Sequence, residues 1–169
     1  LEEGTYQVQV HYWANSTPGT QRNDALYTVY YDGGTATRRV NQQAAADGTP
    51  APGGADSGWY TLGRYRFLSG TSGYVTLSDN PTVWGTGVNV VADAARFLAT
   101  HVYVDDDYTV AGTNDGHLWG VTAFDNIPEG IDAVADYGTV HVRGGEYYGE
   151  IAITKPISVY GASTATTFI

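Results

Sequence analysis

The sequence predicts an all-β protein, and three features indicate this class. Aromatic residues make up 13% of the chain, 14 of them tyrosines, and glycine occurs 22 times. Aromatic side chains favour strands, and glycine favours the turns between them. Long apolar patterns with helical spacing are nearly absent. We therefore expect many short strands joined by turns.

The first part of the chain predicts an antiparallel β-sandwich of the jelly-roll kind. Tyr6–Tyr12 alternates between apolar and polar residues, as a half-buried strand does. Ala25–Tyr31 is the next strand, and Asp32–Gly34 predicts a hairpin turn into Thr35–Gln43. Short strands separated by turn residues at regular spacing are typical of sandwiches. Three further strands are predicted at Trp59–Phe67, Tyr74–Leu77 and Val88–Leu98.

The second part begins at a short strand, His101–Val104, and contains one predicted helix. Its apolar face consists of Phe124, Ile127, Ile131, Val134 and Ala135. Asn126 is the expected N-cap, Glu129 stands at N3, and Gly138 is expected to end the helix.

Three alternating strands are predicted to follow the helix, at Thr139–Val142, Glu150–Ile153 and Ile157–Tyr160. Neither glycine nor proline occurs in Val88–Asp107, so no flexible linker is predicted where the two parts meet. We place the domain boundary there, with one domain at residues 1–99 and a second at 100–169.

The charge of the chain argues against two classes of partner. There are 18 acidic and 8 basic residues, which gives a formal net charge of −10, and Lys155 is the only lysine. Such a surface repels phosphate backbones and anionic lipids, so we expect no nucleic-acid binding. No apolar stretch predicts membrane insertion. Cysteine is absent, which excludes disulfides and thiol chemistry.

Five segments of the first domain carry a family resemblance. They are Gly4–Val10, Ala25–Val29, Val40–Gln43, Trp59–Phe67 and Val91–Phe97. In this order and spacing they resemble the golvesin/xanthan-lyase carbohydrate-binding-like domain, without its N-terminal strands. The resemblance implies an extracellular β-sandwich attached to polysaccharide-degrading or cell-surface proteins, with carbohydrate as the ligand.

Four segments of the second domain carry another resemblance, at Val102–Tyr108, Phe124–Val134, Gly138–Tyr148 and Ile153–Ala162. Their order resembles the start of a right-handed parallel β-helix of the pectin-lyase-like type. The resemblance implies that the short helix caps the solenoid and that the following strands form its first coils. In such enzymes the calcium-binding acids and the catalytic base lie on later coils, so no catalytic activity is carried over.

Candidate site residues follow from side-chain chemistry. Trp13 and Trp84 lie in or near predicted loops and are candidate platforms for stacking on sugar rings. Asp105, Asp106 and Asp107 offer carboxylate oxygens to Ca²⁺, although neighbouring side chains on a strand diverge. A solvated strand end is the alternative interpretation. Asn15 begins an Asn-Ser-Thr glycosylation sequon.

We conclude that the sequence predicts a non-catalytic, secreted or cell-surface β module with a structural or assembly role and glycan binding. The alternative is a fragment of a polysaccharide lyase or hydrolase whose catalytic coils lie beyond the chain. Leu1 and Ile169 both fall partway through a predicted domain, which predicts open β edges. We expect these edges to be covered by the rest of a longer chain or by another copy, through strand addition into a filament.

Overall fold

The computed structural model describes residues 1–18, 20–49, 54–79, 89–163 and 167–168. It confirms the all-β prediction. Its strands are β1 (Gly4–His11), β2 (Trp13–Ala14), β3 (Ala25–Tyr31), β4 (Gly34–Val40), β5 (Ala55–Asp56), β6 (Tyr60–Phe67), β7 (Tyr74–Ser78), β8 (Ala94–Ala99), β9 (His101–Val104), β10 (Ala123–Phe124), β11 (Thr139–Val142), β12 (Gly145–Glu146), β13 (Ser158–Gly161) and β14 (Thr167–Phe168). Helix α1 (Ile127–Ala133) and a 3₁₀ turn at Asn114–Gly116 complete the described elements. None of the described helices is long and apolar enough to cross a membrane.

The chain divides into two compact units. We call Val8–Phe97 the antiparallel unit. Leu1–Gln7 together with Leu98–Ile169 forms the second, which we call the parallel unit. The predicted domain boundary after residue 99 stays a prediction.

The antiparallel unit contains the sheet β4-β3-β7, and the sheet β6-β1-β8 lies largely within it. Strand β3 pairs antiparallel with both of its neighbours, from Ala25 opposite Val40 to Tyr31 opposite Gly34. The turn residue Gly33 has a φ of +111°, which glycine adopts without strain, so the predicted hairpin is confirmed. Strand β3 also packs against β6. The buried apolar side chains of the unit are Val8, Val10, Tyr12, Ala25, Tyr27, Val29, Val40, Leu62 and Phe67.

A buried glutamine connects two loops of this unit. Gln42 is fully buried, and its Nε2 donates to Val91 O at 2.6 Å and to the Tyr27 hydroxyl at 3.2 Å. Val91 N in turn donates to Gln42 Oε1 at 3.0 Å. A buried amide is stable only when its polar atoms are paired, and both ends of this one are.

The parallel unit contains the four-stranded sheet β10-β9-β11-β13, in which every pairing is parallel. Strands β12 and β14 form a separate parallel pair. In β9 and β11, Val102 pairs with Val140 and Val104 with Val142, and all four side chains are buried. Stacked parallel strands with aligned valines are typical of solenoid coils. The assignment to a right-handed β-helix stays a prediction.

The short helix begins where the sequence predicts and ends earlier. Asn126 Oδ1 accepts a hydrogen bond from Glu129 N at 2.9 Å, which confirms the N-cap. The C-cap is Val134, whose backbone is extended, so the prediction that the helix runs on to a stop at Gly138 is wrong. Val134 and Ala135 are nevertheless buried, as their apolar character requires.

Glu150–Ile153 forms no strand, contrary to the sequence prediction. Ile153 is 56% exposed, so the apolar side of this segment is not covered. Alternation stabilises a strand only when one face is buried and the backbone finds a partner. Glu150–Ile153 has the alternation of a strand, but neither of its faces is buried.

Candidate functional site

Trp13 presents its indole ring at the surface of the antiparallel unit, with 54% of the residue exposed. It lies in β2, paired with Asp56 of β5, and its carbonyl oxygen accepts a hydrogen bond from Gln21 Nε2. A Cβ atom built on Gly54 would lie 2.4 Å from the indole Nε1. The ring therefore rests against a position that only glycine fits. The backbone of Trp13 is fixed while the ring is available for contact.

Two residues before Trp13 in the sequence, a histidine lies between two carboxylates. His11 Nε2 is 2.6 Å from Asp56 Oδ1, and its Nδ1 is 2.6 Å from Asp93 Oδ2. The hydrogen bond to Asp56 raises the pKa of His11, burial opposes the rise, and Asp93 adds to it. A hydrogen bond from Gly58 N, followed by that from His11, lowers the pKa of Asp56. The trio therefore favours an imidazolium held by two carboxylates.

Trp59, in contrast with Trp13, is half-buried and already has partners. The Arg96 guanidinium carbon lies 4.1 Å from the centre of its ring, a cation–π contact. Arg96 Nε also donates to Gln9 Oε1 at 2.7 Å. Since Arg96 covers part of the Trp59 ring, this side chain contributes packing and is a poorer platform for a ligand than Trp13.

A groove lined by tyrosines is a further candidate binding surface in the antiparallel unit. The rings of Tyr30 and Tyr74 stack at 4.3 Å because their strands pair them directly. Tyr74 and Leu68 are each nearly half exposed. The groove has a volume of about 450 Å³ and includes Tyr31 and Phe67. Sequence reasoning missed it, although the pairing of Tyr30 with Tyr74 across two strands was the signal that could have found it.

Trp84, the other predicted sugar platform, lies outside the described residues. Asn15 is half-buried, and its Oδ1 accepts a hydrogen bond from Thr17 N at 2.9 Å within the sequon. Glycosylation there stays a prediction.

The three consecutive aspartates can bring oxygen atoms together. Asp105, Asp106 and Asp107 each have a carboxylate oxygen within 4.8 Å of the others. Two of the carboxylates also hold the local backbone, since Asp105 Oδ1 accepts from Asp107 N and Asp106 Oδ2 accepts from Glu146 N. The calcium site stays a prediction, and these backbone contacts would compete with the ion for oxygen lone pairs.

Histidines that are far apart in the sequence come together in the parallel unit. His101 Nδ1 and His141 Nε2 are 3.1 Å apart, and His117 stacks on Tyr103 with ring centres 3.7 Å apart. Burial lowers the pKa of His141, and the charges of His101 and His117 act in the same direction. For Glu2, burial is outweighed by hydrogen bonds from Thr122, His117 and Leu118 N, which lower its pKa. Nothing in the local sequence indicates that these histidines are neighbours, because strand register is needed to bring them together.

Comparison with known proteins gives one family and one solved structure. The family model described as the golvesin C-terminal domain matches residues 1–99. The structure of a Paenibacillus xanthan lyase is similar, with a TM-score of 0.45 and 30% sequence identity over 58% of this chain. The chain spans 8% of the length of that lyase. A search of curated proteins found no match.

Proposed function

Because the chain belongs to the golvesin C-terminal domain family through residues 1–99, we propose that it is an extracellular, non-catalytic module that binds polysaccharide. The observation that carries this proposal is the exposed indole of Trp13 on a strand whose backbone is held in place. The similarity to a polysaccharide lyase agrees with it but adds no independent argument.

The chemistry of Trp13 suits a sugar ring. The face of an indole is apolar and polarisable, and it stacks on the apolar face formed by the C–H groups of a pyranose. Trp13 is fixed by its pairing with β5, so little conformational freedom is lost when a ligand binds. Asp56, directly across the strand pair, offers carboxylate oxygens to sugar hydroxyl groups. The net charge of −10 favours a neutral glycan over an anionic one.

The non-catalytic part of the proposal is supported by the state of His11. Both of its ring nitrogens are engaged by carboxylates, so neither is available to take a proton from a nucleophile. A general base must have an unoccupied lone pair within reach of the group it activates. His11 is therefore suited to hold β5 and the Asp93 segment together.

The test is a binding measurement against a panel of neutral polysaccharides, by glycan array and then affinity electrophoresis. Trp13→Ala is expected to weaken binding about five- to thirtyfold, since one stacked ring contributes on the order of 1–2 kcal/mol. Trp119→Ala, a half-exposed tryptophan of the parallel unit, is the matched control and should leave binding unchanged. Tyr74→Ala tests the tyrosine groove. If neither Trp13→Ala nor Tyr74→Ala changes binding, these surfaces are not the site.

A role in assembly is a second candidate, and one observation favours it. Strand β13 lies at the edge of the four-stranded sheet, with β11 as its only neighbour among the described strands. Tyr160 on this strand is 61% exposed. An edge strand offers unpaired backbone groups to another chain. Size-exclusion chromatography with light scattering tests this, because a stable monomer of 18.1 kDa at high concentration would contradict it.

The alternative of a lyase or hydrolase fragment stays a prediction, and turnover of polysaccharide by this chain would contradict the non-catalytic proposal.

A further inference from the structure

One face of the parallel sheet carries histidines brought together by strand register. In β9 and β11 the buried valines alternate with outward residues, so His101 and Tyr103 share the outer face with His141. Tyr103 is paired directly with His141, and their rings are 4.9 Å apart. The result is that His101 Nδ1 lies 3.1 Å from His141 Nε2.

The surroundings partly bury one of these histidines and leave the other exposed. His141 is half-buried beside Tyr103, and Tyr103 is in turn covered by His117. His117 is anchored, since its Nδ1 is 3.0 Å from Glu2 Oε1. His101 is exposed. It also borders a cavity of about 220 Å³ whose lining includes the acidic residues Glu2 and Glu3.

We propose that His101 and His141 together bind a divalent transition metal of the zinc class. Imidazole nitrogens are preferred ligands for Zn²⁺, Cu²⁺ and Ni²⁺. Two nitrogens on a tetrahedral Zn²⁺, each about 2.0–2.1 Å from the metal, lie about 3.4 Å apart. The observed separation is slightly shorter, so a small rotation of the exposed His101 ring opens the space for the ion.

The ion takes the place of the hydrogen bond between the two nitrogens. Two neighbouring imidazole nitrogens at hydrogen-bond distance hold one proton between them. When the metal binds, this proton moves by exchange with solvent to the other nitrogen of the same ring, so each imidazole keeps one proton and donates one lone pair to the metal. Water from the adjacent cavity fills the remaining coordination positions. Ca²⁺, which prefers oxygen ligands, is not expected here and remains the ion for the aspartate cluster.

The experiment is a titration of the full chain with ZnCl₂ at pH 7.5, followed by isothermal calorimetry and by NMR of the histidine ring resonances. Wild-type protein is expected to bind one zinc ion, and the ring resonances of His101 and His141 should shift together. His101→Gln and His141→Gln should each weaken binding at least tenfold. Circular dichroism and the melting temperature of each variant show whether it is folded.

His11→Gln is the matched control, because His11 lies in the antiparallel unit with both nitrogens engaged by carboxylates. It should bind zinc as the wild type does. Three results would overturn the proposal: no zinc binding by the wild type at millimolar concentration, binding unchanged in both folded glutamine variants, or loss of binding in His11→Gln alone. A CaCl₂ titration that shifts the His101 and His141 rings equally would also overturn it.

Discussion

The two units bury their interiors by different means. In the antiparallel unit, a fully buried amide joins a loop to the backbone of Val91 through paired hydrogen bonds. In the parallel unit, valines of adjacent strands stack on one another, and helix α1 approaches them through Gly130. Hydrogen bonds tolerate little change of chemistry, whereas close packing tolerates little change of volume. A change of chemistry at constant volume should therefore cost most in the antiparallel unit, and an added methyl group should be costly in the parallel unit.

The largest effect is expected when the buried amide is replaced by a side chain of similar volume. Gln42→Leu leaves Val91 N–H and C=O without their partner, at a cost of about 3 kcal/mol in the free energy of unfolding. Urea denaturation measures this. The neighbouring Gln43→Leu is the control, because Gln43 is only partly buried and donates to Gln21 O, and it should cost about 1 kcal/mol. Equal losses in the two variants would contradict the importance of the Gln42 pair.

The next largest effect is expected when a methyl group is added between helix α1 and the parallel sheet. A Cβ on Gly130 would lie 2.6 Å from Val104 Cγ2. Overpacking of this kind costs about 1–3 kcal/mol, which the better helix propensity of alanine offsets by about 1 kcal/mol. Gly130→Ala is therefore expected to lower the free energy of unfolding by up to about 2 kcal/mol.

A double-mutant cycle with Val104→Ala isolates this contact, since the smaller partner should remove the clash. The cost of Gly130→Ala is expected to fall in the Val104→Ala background. If Gly130→Ala stabilises the wild-type protein, helix propensity outweighs packing and the comparison between the units fails.

A smaller effect is expected at the start of α1. Asn126→Ala removes the acceptor of Glu129 N and should cost about 1 kcal/mol, whereas Asn126→Asp retains the cap. Thermal unfolding measures the difference. The control Asp125→Ala removes only an acceptor for the Asn126 side-chain amide and should cost less. If alanine and aspartate at position 126 behave alike, the cap does not stabilise the helix.

The smallest expected effect is a pH dependence confined to the antiparallel unit. The raised pKa of His11 means that the folded state binds the proton more tightly than the unfolded state. The stabilisation is fully present below the unfolded pKa of about 6.5, and it is lost as the pH rises through the higher folded pKa. Wild-type protein should therefore exceed His11→Gln in stability by more at pH 5.5 than at pH 9. A difference independent of pH would exclude a role for the imidazolium.

Sequence reasoning reached the features that are coded locally. The alternation in Tyr6–Tyr12, the turn at Asp32–Gly33 and the cap at Asn126 each depend on residues within a few positions of one another. The strand, the hairpin and the cap were confirmed, but the strand is not half-buried, because Gln7 and Gln9 on its polar side are also buried. Local patterns also failed where burial was missing, as in Glu150–Ile153.

The candidate sites were harder to predict because they depend on register between distant strands. Asp56 and Asp93 are 45 and 82 positions from His11, and His141 is 40 positions from His101. No local spacing indicates such neighbours. Trp13 could be proposed from the sequence because an aromatic residue beside a loop is a recognisable candidate by itself, whereas the tyrosine groove required the pairing of β3 with β7.

The close approach of Gly54 to Trp13 determines which mutations the surface tolerates. Gly54 has a φ of +90°, and a Cβ there would enter the indole ring. Every missense change of one base in a glycine codon gives a residue with a Cβ atom. The orientation of the exposed indole is therefore set by a codon for a residue without a side chain, and any such mutation would alter the surface without touching the tryptophan codon. In a comparison of natural variants, Gly54 would have to be examined together with Trp13.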